Sequence, residues 1–263
     1  MPSPKVSVLM PIRNTPEVWL RTAVRTMANQ SHPNLDLILI DNGSTRATTV
    51  DIIKEAKDRW PDRIILASEP DKQGTAYALD AGMKASDPET VYYSKVDGDD
   101  IFHKDREANR VKLFETLPPQ VAILYENFFQ LNYNIVGKDN DGNDIIRPQI
   151  QPIILRPYDY RACLEESLIP GNSMWRSTVY DKIPRSFVYD GYEGKAQRHA
   201  EDYALWLSIT DHYDAYWYDC DPAMSWTYRM YAGSKYNRDR KGSDYAKMML
   251  QQRAKERRGL GDT

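Results

Sequence analysis

The first 118 residues alternate short apolar runs with segments of helical periodicity, and this alternation limits the fold more than any other feature. Strands are predicted over residues 6–10, 35–40, 64–67 and 91–96, and helices begin at about residues 16, 48, 74 and 105. Strands that alternate with helices over short connections favour a mostly parallel sheet covered by helices on both faces. The sequence therefore predicts an α/β fold with its ligand site at the carboxyl ends of the strands.

Polar residues follow three of these predicted strands. Arg13 and Asn14 come after the first strand, residues 41–44 after the second, and residues 97–100 after the fourth. Because the carboxyl ends of parallel strands lie at one edge of a sheet, the three clusters are expected to converge. Convergence of three polar clusters favours a ligand site over three unrelated groups of solvent-exposed polar residues.

The third cluster, Asp97-Gly98-Asp99-Asp100, has three carboxylates within four residues. In an extended segment Asp97 and Asp99 lie on the same face. Crowded carboxylates repel one another unless a positive charge lies between them. A hard divalent cation takes such oxygen ligands and can bridge to phosphate. Taken alone, these four residues are equally consistent with a solvated acidic turn.

Composition sets broad limits on the class of protein. The chain has 263 residues, 41% apolar content and a formal net charge of −3, which allows a sizeable core and argues against polyanion binding by bulk charge. Cys163 and Cys220 are far apart in sequence, which argues against a disulfide framework or a zinc knuckle. No apolar run reaches the roughly 20 residues of a membrane span. No signal-peptide core is evident either, so a soluble, cytoplasmic protein is expected.

After residue 120 the pattern changes. Residues 121–125 and 128–136 are predicted to be antiparallel strands, and residues 139–144 are predicted to form a hairpin turn rather than a calcium loop. Further elements are predicted at residues 158–166 (helix), 174–175 (strand), 200–211 (helix), 215–218 and 224–230 (strands) and 245–258 (basic helix). We expect one domain over residues 1–235, with a nucleotide-binding half to about 118 and an acceptor-binding half from about 119. A basic tail would follow at residues 236–263.

The order of these motifs resembles that of the inverting family 2 glycosyltransferases of the GT-A fold. The resemblance rests on residues 6–14, 40–45, 96–100, 171–174 and 200–206, and it extends over about residues 5–233. It implies a Rossmann-like, mostly parallel central sheet with a smaller antiparallel acceptor-side region. It also implies transfer of a sugar, with inversion, from a nucleotide-diphosphate sugar such as a UDP-sugar to an acceptor hydroxyl.

The resemblance also implies roles for donor-side residues. Asp41 would accept a hydrogen bond from the base, and Asn42 stands where the family has a second acidic residue. Asp97 would lie near the ribose or a metal-bound water. The other residues expected near the nucleotide are Pro11, Arg13, Asn14 and Gly74.

By the same resemblance, Asp99, with Asp100 as the alternative, would hold Mn²⁺ or Mg²⁺ on the diphosphate. Tyr231 stands where many relatives have a metal-binding histidine. This difference implies either a more loosely held metal or a part of the positive charge at the phosphates supplied by Arg229 and Lys235.

Asp202 would be the general base that takes the proton of the acceptor hydroxyl. The alternative is an acid that only stabilises the first turn of a helix. His199 is close to Asp202 in sequence and could approach an acceptor, and Trp175 is more typical of a core residue than of a sugar platform.

Three other functions stay open at this point. A nucleotidyltransferase shares the sheet and acidic site, but normally has a Gly-rich, basic phosphate loop after its first strand. A non-catalytic sugar-nucleotide or nucleic-acid binder could have the same scaffold. A glycosyltransferase that modifies bases in DNA would use a basic surface. Residues 229–258 supply one, with ten Lys and Arg against three Asp and Glu, and could contact an anionic surface.

Overall fold

The structure is a computed structural model, and it describes residues 2–72, 74–139, 141–187, 200–231 and 240–260. The first half contains β1 (Val6–Ile12), α1 (Glu17–Ala28), β2 (Leu35–Asp41), α2 (Ala47–Arg59), β3 (Ile64–Ser68), α3 (Thr75–Ala85), β4 (Tyr92–Lys95), β5 (Ile101–Phe102) and α4 (Arg106–Phe114). Every strand and helix predicted before residue 118 is present, with bounds that differ by a few residues. The exception is β5, a two-residue strand that periodicity cannot reveal.

The second half contains β6 (Val121–Glu126), β7 (Phe128–Lys138), β8 (Asp144–Ile153), α5 (Tyr160–Glu165), β9 (Met174–Arg176), α6 (Glu201–Ile209), β10 (Asp214–Tyr218), β11 (Trp226–Met230) and α7 (Arg240–Arg257). Short 3-10 helices lie at Ser177–Asp181 and Pro222–Met224.

The central sheet has seven strands in the order β10-β6-β9-β4-β1-β2-β3. Six strands run in one direction, and β9 alone is antiparallel to its neighbours β4 and β6. This arrangement confirms the predicted mostly parallel sheet. It also puts the ends of β1, β2 and β4 next to one another.

A second, four-stranded sheet has the order β5-β11-β7-β8. The predicted strands β6 and β7 do not pair with each other. Instead β6 joins the central sheet, while β7 pairs antiparallel with β8 and parallel with β11. Sequence analysis missed β8 because it is almost entirely exposed and includes Pro148 and Pro152. An edge strand tolerates proline because one side of it needs no hydrogen-bond donor.

The predicted hairpin turn between β7 and β8 is confirmed. Asp139 Oδ1 accepts hydrogen bonds from the backbone nitrogens of Asp141 (2.9 Å) and Asn143 (2.8 Å). Gly142 has a φ of 84°, which glycine adopts without steric cost. The Asp139 carboxylate therefore stabilises the turn itself.

The core forms one layer on each face of the central sheet. Along β1, Val8 and Met10 face the layer of α1 and α2, whereas Leu9 faces the layer of α3 and α6. This alternation follows from the period of two in a strand. Trp175 is fully buried and packs against Tyr93, which confirms it as a core residue.

The basic C-terminal helix α7 shares this core. Its residues Ala246, Leu250 and Ala254 are buried in the same cluster as Trp206 of α6. The predicted tail at residues 236–263 therefore includes a helix that packs on the domain, because one face of it is apolar.

Candidate active site

The polar clusters after β1, β2 and β4 lie together at one edge of the central sheet. Ile12 of β1 pairs with Asp41 of β2, and Leu9 of β1 pairs with Lys95 of β4. Three parallel neighbours thus end side by side, as predicted.

Asn14 joins the first two clusters. Its Oδ1 accepts hydrogen bonds from the backbone nitrogens of Thr45 (2.8 Å) and Arg46 (3.0 Å), and its own backbone nitrogen donates to Ser44 Oγ (3.2 Å). Asn14 has a φ of 51°, a left-handed conformation that Asn adopts more readily than most residues. Its side chain therefore holds the loop after β2. Arg13 beside it is exposed, and Pro11 is half-buried.

Asp41 and Asn42 face different partners. Asp41 Oδ1 accepts a hydrogen bond from the backbone nitrogen of Ser44 (2.9 Å). The Asn42 amide is buried, and its Nδ2 donates to the carbonyl oxygens of Glu69 (2.9 Å) and Lys72 (3.0 Å). Asn42 Oδ1 accepts from the backbone nitrogen of Gly74 (2.9 Å). Both amide hydrogens of Asn42 thus bind the loop before α3, a role that the sequence did not indicate.

Gly74 ends that loop with a φ of 148°. Residues with a Cβ rarely adopt this conformation, so glycine is favoured where the chain enters α3.

The three carboxylates of the acidic turn after β4 differ in how deeply they are buried. Asp97 and Asp99 are partly exposed, whereas Asp100 is fully buried. Asp100 Oδ1 accepts from the backbone nitrogen of Arg229 (3.0 Å), and its Oδ2 accepts from Asn172 Nδ2 (2.7 Å). Of the two predicted metal ligands, Asp99 is thus the more accessible, and Asp100 is directed into the protein.

Crowding perturbs these acids. Burial and the neighbouring Asp97 carboxylate raise the pKa of Asp99 to about 6. Burial, Asp99 and Asp97 hold the pKa of Asp100 well above its usual range. Both shifts mean that negative charge in the turn is incompletely balanced by the protein.

Arg229 and Tyr231 lie beside Asp99. Arg229 donates from a guanidinium nitrogen to the carbonyl oxygen of Asp99 (2.6 Å), and the Tyr231 hydroxyl donates to Asp99 Oδ2 (3.3 Å). Arg229 Nε is buried and has no hydrogen-bond partner in the part of the chain that the structure describes. A buried donor of this kind next to an acidic turn fits an anionic ligand such as a diphosphate.

The same residues fit a divalent cation. Within the described ranges, no group of three or more His, Cys, Asp or Glu could hold a metal by protein ligands alone. The available donors are carboxylate oxygens of the acidic turn, which suit a hard cation that completes its coordination with phosphate and water. The raised pKa values show charge that such a cation would balance.

A buried ionic network is connected to the acidic turn through Asn172. Arg106 Nε and Arg110 Nε donate to the two carboxylate oxygens of Glu126, each at 2.7 Å. Both arginines also donate to the backbone oxygen of Asn172. Burial opposes ionisation of Glu126, but Arg110 and Arg106 outweigh it and lower its pKa. Sequence analysis missed this network, although two arginines at i and i+4 in an amphipathic helix were a signal.

Asp202 lies in the first turn of α6 and is partly exposed. A Cβ added at Gly171 would collide with Asp202 Oδ2 and lie 3.0 Å from Lys95 Nζ. Lys95 Nζ in turn donates to Asp97 Oδ1 (3.1 Å). The structure therefore brings the predicted base close to the acidic turn, and it adds Lys95, which sequence analysis treated only as part of a strand.

The remaining candidate residues lie away from this cluster or outside the residues that the structure describes. His199 and Lys235 are outside the described residues. On α7, Lys255 forms an ion pair with Glu165 (2.7 Å), and Arg257 and Arg258 pair with Asp211. Acidic residues of the domain thus neutralise part of the predicted basic surface. No helix in the described ranges is both long and apolar enough to cross a membrane.

A mostly parallel sheet with an acidic turn at its edge, and a second carboxylate at a nearby helix start, is the arrangement expected of a GT-A type transferase. The family model described as glycosyl transferase family 2 matches residues 7–162. The chain belongs to this family, which favours glycosyl transfer over nucleotidyl transfer.

Curated relatives agree with that family. A glycosyltransferase of Haemophilus influenzae, described as uncharacterized, is 30% identical over 146 residues, which cover 55% of this chain and 52% of the relative. The putative glycosyltransferase EpsE of Bacillus subtilis is 32% identical over 208 residues, which cover 78% of this chain and 66% of the relative. The chain thus spans about half to two thirds of the length of these two proteins.

Solved structures share the fold. The S. aureus TarS fragment in complex with UDP-GlcNAc has a TM-score of 0.62 at 14% identity, covering 88% of this chain and 60% of that one. The mannosyltransferase PcManGT from Pyrobaculum calidifontis, in complex with GDP-Man and Mn²⁺, has a TM-score of 0.62 at 15% identity, covering 97% and 65%. These likenesses confirm the predicted GT-A fold.

Proposed function

We propose that this protein transfers a glycosyl group from a nucleotide-diphosphate sugar to an acceptor hydroxyl with inversion, and that Asp202 is the general base. One observation supports this function above the others. Asp202 and Asp97 both face the Lys95 ammonium, so a potential base lies beside the acidic turn of the donor site.

The donor would bind along the edge formed by the ends of β1, β2 and β4. Asp41 would accept a hydrogen bond from the base, while Asn14 and Asn42 hold the loops that border the nucleotide. Arg229, whose Nε is buried without a partner in the described part of the chain, would donate to the diphosphate. A diphosphate there offers ionised oxygen acceptors, to which charge-assisted hydrogen bonds are stronger than bonds between neutral groups.

Asp99 would hold the divalent cation, with Tyr231 orienting its carboxylate. When bound, Mn²⁺ or Mg²⁺ supplies Lewis-acid stabilisation of the leaving diphosphate. The relatives' complexes with UDP-GlcNAc and with GDP-Man and Mn²⁺ support a donor of this chemical class.

The transfer step follows from the position of Asp202. Its carboxylate would take the proton from the acceptor hydroxyl as that oxygen bonds to the anomeric carbon. The bond from that carbon to the diphosphate oxygen breaks, and its electron pair leaves with the diphosphate. Attack on the face opposite the leaving group inverts the configuration.

A donor panel tests this proposal. Thermal shift is measured with UDP, GDP, CDP and TDP, each with and without Mn²⁺, and release of nucleoside diphosphate is measured from the corresponding sugar nucleotides. We expect one nucleotide to stabilise the protein more in the presence of Mn²⁺, because bound ligand raises the free energy of unfolding. Absence of both stabilisation and release with every nucleotide would contradict the function.

A further inference from the structure

Lys95 is a buried lysine at the end of β4, with 3% of its surface exposed. A buried ammonium is costly unless carboxylates balance it. We propose that Lys95 is a positioning residue that holds the Asp202 carboxylate in place for proton abstraction and connects it to Asp97 on the donor side. This inference rests on the proposed role of Asp202 as the general base.

The contacts of Lys95 are directional. Its Nζ donates to Asp97 Oδ1 at 3.1 Å, and its backbone nitrogen donates to the carbonyl oxygen of Ser173 at 3.2 Å. The first bond reaches the acidic turn, and the second reaches the loop that precedes β9. Lys95 is therefore held both at the acidic turn and at the loop before β9.

Gly171 leaves the space in which Lys95 and Asp202 face each other. An added Cβ there would collide with Asp202 Oδ2 and lie 3.0 Å from Lys95 Nζ. Both charged atoms thus lie close to the same backbone position. Any larger residue at position 171 would push the carboxylate, the ammonium or both out of place.

The titratable groups that face Lys95 in the described ranges come from three elements. They are Asp97 after β4, Glu201 and Asp202 at the start of α6, and Tyr228 on β11. Burial disfavours the Lys95 ammonium, but Asp97, Asp202 and Glu201 together outweigh it and raise the pKa of Lys95. The ammonium is therefore a constant positive charge at neutral pH, and the three carboxylates face it.

Ionised carboxylate is the form that a general base requires. With Lys95 removed, Asp97, Glu201 and Asp202 would repel one another without a cation among them, and Asp202 would lose the opposite charge that favours its carboxylate form. Loss of Lys95 should therefore reduce the fraction of enzyme with a competent base at neutral pH. It should also leave the Asp202 carboxylate without the interaction that fixes its orientation.

The test compares Lys95→Met with Lys112→Met, which removes the same charge from an exposed position on α4. For Lys95→Met we expect kcat to fall about 100-fold at neutral pH, within the range that a general base contributes. The acidic limb of its pH–rate profile should move to higher pH, because the proposed base has then lost its neighbouring positive charge. Lys112→Met should keep the kcat and pH profile of the unmodified protein.

A double-mutant cycle separates positioning from general structural damage. In the Asp202→Asn background, Lys95→Met should have little further effect on kcat, because the group that it acts through is already lost. Binding of nucleoside diphosphate, measured by thermal shift, reports whether each variant is folded. If Lys95→Met does not fold, Gly171→Ala replaces it in the cycle, since it displaces Asp202 while Lys95 stays in the chain.

The outcomes distinguish this inference from the proposed function. If no nucleotide stabilises the protein and no sugar nucleotide is turned over, the proposed function fails, and if Asp202→Asn is as active as the unmodified protein, the base assignment fails. If Asp202→Asn is inactive but Lys95→Met keeps its kcat and its pH profile, only the positioning role is overturned. Equal, additive losses from Lys95→Met and Asp202→Asn would also overturn it.

Discussion

Asn172 Nδ2 donates a hydrogen bond of 2.7 Å to Asp100 Oδ2, and this bond joins the loop before β9 to the acidic turn after β4. The backbone oxygen of Asn172 accepts hydrogen bonds from Arg106 and Arg110. Asn172 therefore connects the acidic turn to the buried ionic network.

Replacing Asn172 should destabilise the protein. Asn172→Ala leaves the buried Asp100 carboxylate without one hydrogen bond, which costs about 1–3 kcal/mol. Asn172→Asp should cost more, because it places a second carboxylate against Asp100. Urea denaturation gives both values, and Asn134→Ala on an exposed part of β7 is the control with little change. Equal stability of Asn172→Ala and Asn134→Ala would contradict the structural role of this bond.

Asn42→Asp should weaken nucleotide binding, although it introduces the acidic residue that the family resemblance led us to expect at this position. A carboxylate cannot donate to the carbonyl oxygens of Glu69 and Lys72, so two carbonyls lose their partner. We expect a lower melting temperature and a higher Kd for the preferred nucleoside diphosphate. Tighter nucleotide binding by this variant would instead assign position 42 to base recognition.

Asp202→Asn should strongly reduce transfer and leave donor binding nearly unchanged. Loss of a general base lowers kcat by about 10²–10⁴-fold. The Kd of the nucleoside diphosphate should stay close to that of the unmodified protein, because the proposed base acts on the acceptor hydroxyl and not on the nucleotide. Asp214→Asn, at an exposed position on β10, is the matched control and should keep full activity. Turnover at the normal rate would remove Asp202 from the mechanism.

Asp99→Asn and Asp100→Asn should differ. Asp99→Asn removes a carboxylate from a crowded turn, so the metal-free protein should keep or gain stability while Mn²⁺-dependent nucleotide binding falls. Asp100→Asn turns an amide N–H toward one of the two donors that bind Asp100, from Arg229 or Asn172, and should destabilise the protein. Calorimetric titration of Mn²⁺ and thermal melts measure the two effects. Loss of metal response in Asp100→Asn alone would reverse the assignment.

The packing of α7 can be tested with two residues of the same helix. Leu250 is 1% exposed and Met248 is 53% exposed. Leu250→Ala leaves a cavity and should cost about 2–5 kcal/mol. Met248→Ala should change stability little, because its side chain already contacts solvent. Equal, small effects would mean that α7 does not share the domain core.

The strands, helices and polar clusters of the first half were predictable because each depends on neighbours in sequence. Val8, Leu9 and Met10 alternate because successive residues of a strand face opposite sides. The three polar clusters were predicted to converge because parallel strands end at one edge. In the second half local pattern was a weaker guide, and the exposed strand β8 was missed.

The partners of the polar side chains followed only from the tertiary structure. Asp99 and Asp100 are adjacent and chemically identical in the sequence, yet one is accessible and the other is bound by Asn172 and Arg229. Lys95 belongs to an apolar run in the sequence, and the tertiary structure places its ammonium near Asp202, beside Gly171. Periodicity reports which way a backbone element faces. Periodicity does not report which distant residues surround a side chain. The burial of Asp100, for example, depends on its contact with Asn172, 72 positions away.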